Sequence, residues 1–228
     1  MQHLAIIPDG NRRWAKKNKL KSILGHKKGL DAFDIAVKFC LKNNIKYLSI
    51  YIFSLENFNR SEEEKKYLFD LLIELVVENV SKFIKQRVRV RFLGNKDYFP
   101  QKVKPAIERM EKETAYLDKL NLNFLFCYGA KNEIVNAVKQ LATKVKNGIL
   151  DVEDIDEESI SKSLWTTGIP DPDLIIRTSN RFRLSNFLLY QAAYSEIKVI
   201  DCYWPEITEN HLEECCKDFK NIQRNFGK

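Results

Sequence analysis

The chain lacks most residue patterns that announce a ready-made chemistry. Its five cysteines, Cys40, Cys127, Cys202, Cys215 and Cys216, have no zinc-ligand spacing, and neighbouring Cys215 and Cys216 are poorly placed to bridge each other. Reduced thiols in a cytoplasmic protein fit that usage. There is no G-x-S-x-G elbow, P-loop, H-E-x-x-H helix or cysteine–histidine arrangement, so covalent catalysis and ATP chemistry have no support. No apolar run approaches the length of a membrane span, and the first residues read straight into a strand without a signal-peptide pattern. No Pro/Ser/Gly linker, repeat or low-complexity tract divides the chain, which predicts one domain over residues 1–228.

What is present belongs to a globular protein. At 228 residues and 44% hydrophobic content the chain can bury a sizeable core. The net charge of +7 permits nucleic acid, an anionic membrane surface or a phosphorylated substrate as partner. Much of the excess is lysine on solvated faces, for example Lys16, Lys17, Lys19, Lys21, Lys27 and Lys28, whereas the arginines gather in motifs.

Strand-like runs at Leu4–Ile7, Tyr47–Phe53, Val88–Leu93, Leu122–Cys127, Leu174–Ile176 and Val199–Asp201 alternate with amphipathic segments. Those segments are Gly29–Lys42, Ser61–Lys85, Lys102–Leu117, Lys131–Lys146, Glu157–Leu164, Asn186–Ser195 and His211–Phe219. The order predicts an α/β fold, a single mostly parallel sheet flanked by helices on both faces. Ligand loops then gather at the carboxyl ends of the strands.

The first such loop is the most informative. Pro8-Asp9-Gly10-Asn11-Arg12-Arg13-Trp14 follows a buried strand. Gly10 permits a tight turn and close approach to a ligand, and Asp9 or Asn11 can cap the helix that follows. Arg12 and Arg13 offer forked donors suited to phosphate. Asp9 would repel a phosphate unless a divalent metal bridged the two. A turn with an Asx cap would explain Asp-Gly-Asn alone; the two arginines, Trp14 and the preceding strand favour function.

The loop Arg177–Asn186 carries three arginines, three hydroxyls and two amides, then enters an apolar segment that reads as a helix, and its composition suits a diphosphate. Ser61 with Glu64 forms a capping box, whereas Asn57 and Arg60 are not needed for capping and point to ligand contact. The helix through Leu71–Val77 serves either as core or as one wall of an apolar cavity. Tyr128-Gly129-Ala130-Lys131 is a further strand-end loop. Glu196 is a second carboxylate that could join Asp9 at a metal, and His26 could donate to phosphate, although a lone glutamate or histidine is more often structural.

In combination these motifs resemble the cis-prenyltransferases, the family of undecaprenyl diphosphate synthase. The resemblance runs over nearly the whole chain: His3 to Trp14, Gly25-His26-Lys27-Lys28-Gly29, Tyr51 to Arg60, Tyr128-Gly129-Ala130, Ile176 to Ser179, Arg183 to Phe187, Tyr194-Ser195-Glu196 and Trp204-Pro205. It implies an enzyme that adds isopentenyl diphosphate repeatedly to an allylic diphosphate such as farnesyl diphosphate, forming cis double bonds with Mg²⁺. Asp9 matches the metal-linked carboxylate, and Glu196 is a further metal candidate, supplied across a homodimer. Gly10, Asn11, Arg13 and His26 match the allylic diphosphate cradle, with Arg12 and Trp14 beside them. Arg177, Arg183 and Ser185 match the isopentenyl diphosphate site. Ser54, Asn57, Arg60 and Glu64, flanked by Phe53 and Phe58, match the motif around the reacting carbons, and Asp9 and Asn57 stand as catalytic residues. An apolar tunnel would house the growing chain. The implied product is an undecaprenyl-type carrier-lipid precursor, made in the cytoplasm with peripheral contact at the inner face of the membrane and without a nucleic-acid partner.

The chain departs from the family pattern at Ser22 (often Arg), Asn180-Arg181 (usually Gly-Glu), Phe58 (commonly Trp) and Ile52 (often a smaller residue). Near the C-terminus Asn225 precedes Phe226-Gly227, with Arg224 adjacent, where relatives often carry Arg-x-Gly. Three rivals remain at this stage: a synthase of short or irregular prenyl diphosphates, a non-catalytic subunit of the same fold, and a nucleic-acid binder, which is suggested only by charge.

Overall fold

A computed structural model describes residues 1–223; the C-terminal Arg224–Gly227 departure lies outside them. In chain order the elements are β1 (His3–Ile7), α1 (Asn11–Lys17), α2 (Ser22–Lys42), β2 (Tyr47–Ser54), α3 (Glu62–Gln86), β3 (Val88–Leu93), α4 (Lys104–Thr114), β4 (Leu120–Tyr128), α5 (Ala130–Lys146), α6 (Glu157–Ser163), β5 (Leu174–Arg177), β6 (Glu196–Val199) and α7 (Glu209–Lys220). The six strands pair in the order β3-β4-β2-β1-β5-β6, every pair parallel. The chain starts mid-sheet, builds outward through β2, then crosses to β5 on the other side of β1. The strand order therefore reverses at β1, and a crevice opens above its carboxyl end, where open α/β sheets bind ligands.

Both faces of the central strands are buried, so alternate residues serve different cores. Leu4, Ile6, Leu48, Ile50, Leu122 and Phe124 join one large cluster with the apolar sides of α2, α3, α4 and α7. Ala5, Ile7, Tyr51, Leu125 and Tyr128 join a smaller cluster with Ala130 of α5, Phe187 and Leu188. The β2–β4 register slips between Tyr51 and Phe53 and again between Phe53 and Ser54. Ile52 is the extra residue on β2. Consecutive Ile52 and Phe53 consequently both pack against the large cluster, which a regular pleat would forbid.

Two expected elements differ. Asn186–Ser195 is a series of turns, not a helix. Ser185, Asn186 and Leu188 have φ of 52°, 64° and 41°, and left-handed residues interrupt a right-handed helix however apolar the segment. The last strand is Glu196–Val199 and not Val199–Asp201. The backbone of residues 200–202 instead folds over the sheet end, where Ile200 and Cys202 carbonyls accept from the N–H groups of Asn180 and Ser179.

His3 in β1 is buried, its Nδ1 2.7 Å from the Pro170 carbonyl and its Nε2 2.8 Å from Ser49 Oγ. Burial pulls its pKa down to about 4, partly opposed by the Pro170 carbonyl and Asp173. The unfolded chain takes up this proton near pH 6.5 and the folded chain refuses it until about pH 4, so stability falls as pH drops through that window. Between pH 7 and pH 5 this one group should remove about 2 kcal/mol. Urea titrations of the parent and of His3→Gln check it: the parent should lose more stability over that range than the variant, and equal slopes would refute the assignment.

Candidate functional site

The carboxyl ends of β1, β2 and β5 hold the residues singled out above. After β1, Gly10 turns the chain with φ 104°, and a Cβ there would lie 2.7 Å from Tyr203 Cδ1 and 2.9 Å from Ser179 Oγ. Gly10 is the N-cap of α1, and no side chain caps it, contrary to the expectation for Asp9 or Asn11. The Asp9 backbone is instead clipped to Thr178, whose hydroxyl lies 2.8 Å from Asp9 N and 2.6 Å from Asp9 O. α2 packs closely on this turn through Gly25 and Gly29. A Cβ on Gly25 would stand 2.1 Å from the Asn11 carbonyl oxygen, and one on Gly29 would stand 2.8 Å from Asn11 Oδ1. Trp204 closes the other side, donating its backbone N–H to Asp9 O and its indole N–H to Gly29 O.

Asp9 accepts from two guanidinium groups, Arg177 Nη2 at 2.7 Å on Oδ2 and Arg13 Nη2 at 3.1 Å on Oδ1. Partial burial opposes its charge, but Arg177 and then Arg13 outweigh burial and hold the carboxyl below its ordinary pKa. Arg177 is only 4% exposed. Its Nη1 donates to the Arg183 carbonyl and, at 2.8 Å, to Ser185 Oγ, while Arg183 Nε reaches the same hydroxyl at 3.3 Å. The Arg183–Asn186 loop is anchored by Asn186. Its carbonyl and Oδ1 accept from Ala130 and Lys131 N–H, and its Nδ2 donates to Glu56 at 2.8 Å.

A second charged group forms where β2 meets α3. Glu64 accepts from Arg60 Nη1 at 3.1 Å and lies 3.7 Å from His26 Nε2 and 3.9 Å from Arg12 Nε. The expected capping box is half made: Ser61 Oγ accepts from Glu64 N–H, but the Glu64 carboxylate turns to Arg60 and Arg12. Asn57, in contrast, does cap, since its Oδ1 accepts from Ser54 N–H at 3.0 Å. Burial, reinforced by Arg60, draws the His26 pKa down to about 4, so at pH 7 the ring is neutral. Burial likewise lowers Arg60, opposed by Glu64.

These groups surround a cleft of about 330 Å³. Asp9, Asn11, His26, Asn57, Arg60, Arg177, Arg183 and Ser185 lie around it, with Phe53 and Ser54. Its apolar walls are Leu30 and Phe33 of α2, Ile50 and Ile52 of β2, Leu68, Phe69, Leu71, Leu72 and Leu75 of α3, and Phe124 and Phe126 of β4. An adjoining hollow of about 720 Å³ is lined by Gly10, Arg12, Arg13, Lys16, Lys21 and Ser22, and shares Asp9, Asn11, His26 and Arg60 with the cleft. Lys21 thus stands beside Ser22 at the wall of the hollow.

Among the described residues eight buried side-chain polar atoms have no hydrogen-bond partner, and four gather here: Asn11 Oδ1, His26 Nε2, Arg177 Nε and Ser179 Oγ. Buried polar atoms are ordinarily paired, so these four are available to the polar groups of a ligand.

Three expected site residues are brought neither to the cleft nor to the adjoining hollow. Phe58 packs behind it on Phe53, Phe69 and Tyr98. Trp14 lines a separate groove with Leu24 and Glu74. Glu196 opens β6 opposite Leu174, whereas Asp9 follows the carboxyl end of β1, so one chain does not bring the two carboxylates together. Thr178, Tyr203, Phe33 and Phe126 were not singled out by sequence. Thr178 could have been read from the Arg177-Thr178-Ser179 run, but Tyr203 and the two phenylalanines carried no local signal.

A family model described as "Putative undecaprenyl diphosphate synthase" matches residues 7–227. The isoprenyl transferase of Bacillus anthracis is 42% identical over 226 residues, spanning 99% of this chain and 88% of its own. The tritrans,polycis-undecaprenyl-diphosphate synthase (geranylgeranyl-diphosphate specific) of Thermococcus kodakarensis is 41% identical over 229 residues, spanning 100% of this chain and 87% of its own. Among solved structures, lavandulyl diphosphate synthase from Lavandula x intermedia, in complex with dimethylallyl diphosphate, superimposes with a TM-score of 0.96 at 31% identity, covering 100% of this chain and 98% of that one.

Proposed function

The chain belongs to the undecaprenyl diphosphate synthase family of prenyltransferases, and on that premise we propose that it condenses isopentenyl diphosphate with an allylic primer, farnesyl diphosphate, and repeats the step to an undecaprenyl-type diphosphate. The observation that carries this reading is the junction of two environments in one cleft: a mouth of arginines (Arg177 buried, Arg60 half-buried, Arg183 exposed), serine and one carboxylate, and a chamber of leucine and phenylalanine. A diphosphate head and a hydrocarbon tail need that junction.

In this reading the allylic diphosphate sits against Gly10, Asn11 and Arg13, with His26 giving a hydrogen bond. Ionisation of its C–O bond leaves negative charge on the departing diphosphate, and fixed donors placed before the reaction stabilise it without reorganising. Arg177, Arg183 and Ser185 hold the second diphosphate. The Asp9–Arg177 pair joins the two positions, so the reacting carbons are oriented together.

Prenyltransferases of this kind generally use a divalent metal. Among the described residues no three His, Cys, Asp or Glu side chains converge. Mg²⁺ suits that donor set, because it is commonly held by one or two carboxylates and the substrate's phosphates. Asp9, kept ionised by its arginines, is the residue that would hold it, with Glu196 of a second copy as a further ligand in a homodimer. Bound there, Mg²⁺ would offset the charge of the diphosphate.

One observation favours a second reading. Ile52 projects from the β2 bulge into a cleft of modest volume, which suits a shorter product. A single assay decides: incubate the protein with Mg²⁺, isopentenyl diphosphate and allylic primers of several lengths, then size the products. Undecaprenyl-length chains support the first reading and products of a few isoprene units the second; no incorporation refutes both. Ile52→Ala should shift the distribution by at least one isoprene unit toward longer chains, because about three methylene-sized groups leave the wall.

A further inference from the structure

We propose that the α1–α2 corner, Lys16 to Lys28, is a docking face for an anionic lipid bilayer. The proposal rests on the prenyl-diphosphate reading in one respect: an apolar product gives the enzyme a reason to work at a membrane.

The charge at this corner is uncompensated. Lys16, Lys19, Lys21 and Lys27 are exposed and meet no acidic side chain among the described residues, whereas Lys17 pairs with Glu206 and Lys28 with Asp31. Leu20 and Leu24 stand among these cations, each 42% exposed. Cations that surround protruding leucines fit an anionic interface, where the ammonium groups meet headgroups and the leucines enter the acyl boundary.

The corner is also continuous with the apolar chamber. Behind Leu20 and Leu24 a groove of about 590 Å³ runs between α2 and α3, lined also by Leu30 and Leu75. Leu30 and Leu75 line the cleft on their other side. The protruding leucines therefore flank the back of that wall, through Leu30 and Leu75, without lining the cleft themselves. Asp31, Asp34, Glu74 and Glu78 border the groove, but Asp31 and Asp34 are neutralised by Lys28 and Lys82, and the unpaired lysines lie toward the α1–α2 connection. Nucleic acid would use the lysines and leave the leucines without a role.

The test is co-sedimentation of the full chain with phosphatidylcholine vesicles with and without about one-third phosphatidylglycerol as the anionic headgroup. The expected result is binding to anionic vesicles only, weakened by added salt. Leu24→Glu combined with Lys27→Glu should reduce the partition coefficient roughly tenfold or more. Neither residue lines the cleft, so prenyl transfer in detergent without vesicles should be unchanged. Equal binding to neutral vesicles, no binding, full binding by the variant, or an affinity for single-stranded oligonucleotide above that for anionic vesicles would each overturn the proposal. Failure of prenyl transfer in detergent would strike the functional reading alone, since the vesicle experiment does not depend on turnover.

Discussion

Replacing Asp9 by alanine is expected to lower kcat by about three orders of magnitude, the scale at which removal of a preorganised electrostatic group acts. Incorporation of labelled isopentenyl diphosphate at saturating substrates and Mg²⁺ measures it. Two consequences of the structure make the test informative. In the proposed reading Asp9 lies between the two diphosphate positions, so its loss would remove the metal's protein ligand as well as the observed tie to Arg177. It also leaves Arg177 buried with an uncompensated charge, which should cost about 1–3 kcal/mol of stability. The fold is therefore not indifferent to the change, and Asp9→Asn is the companion variant, because it keeps the volume and one acceptor. Both variants should be inactive, with Asp9→Asn the more stable. Turnover within tenfold of the parent by a folded Asp9→Ala would remove this carboxylate from the chemistry. Because the arginines hold Asp9 below its ordinary pKa, its ionisation should not limit the rate between pH 5 and pH 8.

Legibility in the sequence followed from how local each feature is. The strands of the sheet centre are apolar runs of β-branched and aromatic residues, and the alternation with helices required a parallel sheet. The Pro8–Trp14 motif was readable because a strand end, a positive-φ glycine and two arginines are consecutive in the chain. What needed three dimensions was not readable. Glu64 has the spacing of a capping residue, and only its distance to Arg60 and Arg12 shows that charge outcompetes the cap. Asn57 is the reverse case, a residue free by pattern that in fact closes a turn. Asn186–Ser195 is as apolar as a buried helix, and no periodicity registers left-handed residues at Asn186 and Leu188 or at Ser185 just before them. The cleft's phenylalanines on β4 sit in a strand buried on both faces, where composition does not separate core from chamber.

Arg177→Lys should show how much of the site depends on a planar fork and not on positive charge alone. Arg177 ends β5 beside Ile7, in register with the strand that delivers Asp9. From that position one guanidinium serves three acceptors on two loops: the Arg183 carbonyl, Ser185 Oγ and Asp9 Oδ2. A lysine ammonium presents a point charge on a flexible stem and cannot span those positions together. Two or three buried charge-assisted hydrogen bonds would be lost or lengthened, at about 2 kcal/mol net, so the midpoint of thermal unfolding should fall by about 4–8 °C. The functional loss should be larger and unevenly distributed. Without the fork, Ser185 and Arg183 lose the contact that sets their direction, so KM for isopentenyl diphosphate should rise by more than tenfold and kcat/KM fall by about a hundredfold. The KM for the allylic primer, whose cradle is built on α1 and α2, should move by less than about threefold. A merely structural arginine would lower the melting temperature and the amount of active enzyme while leaving both KM values in place, and that outcome would take Arg177 out of the second-substrate site.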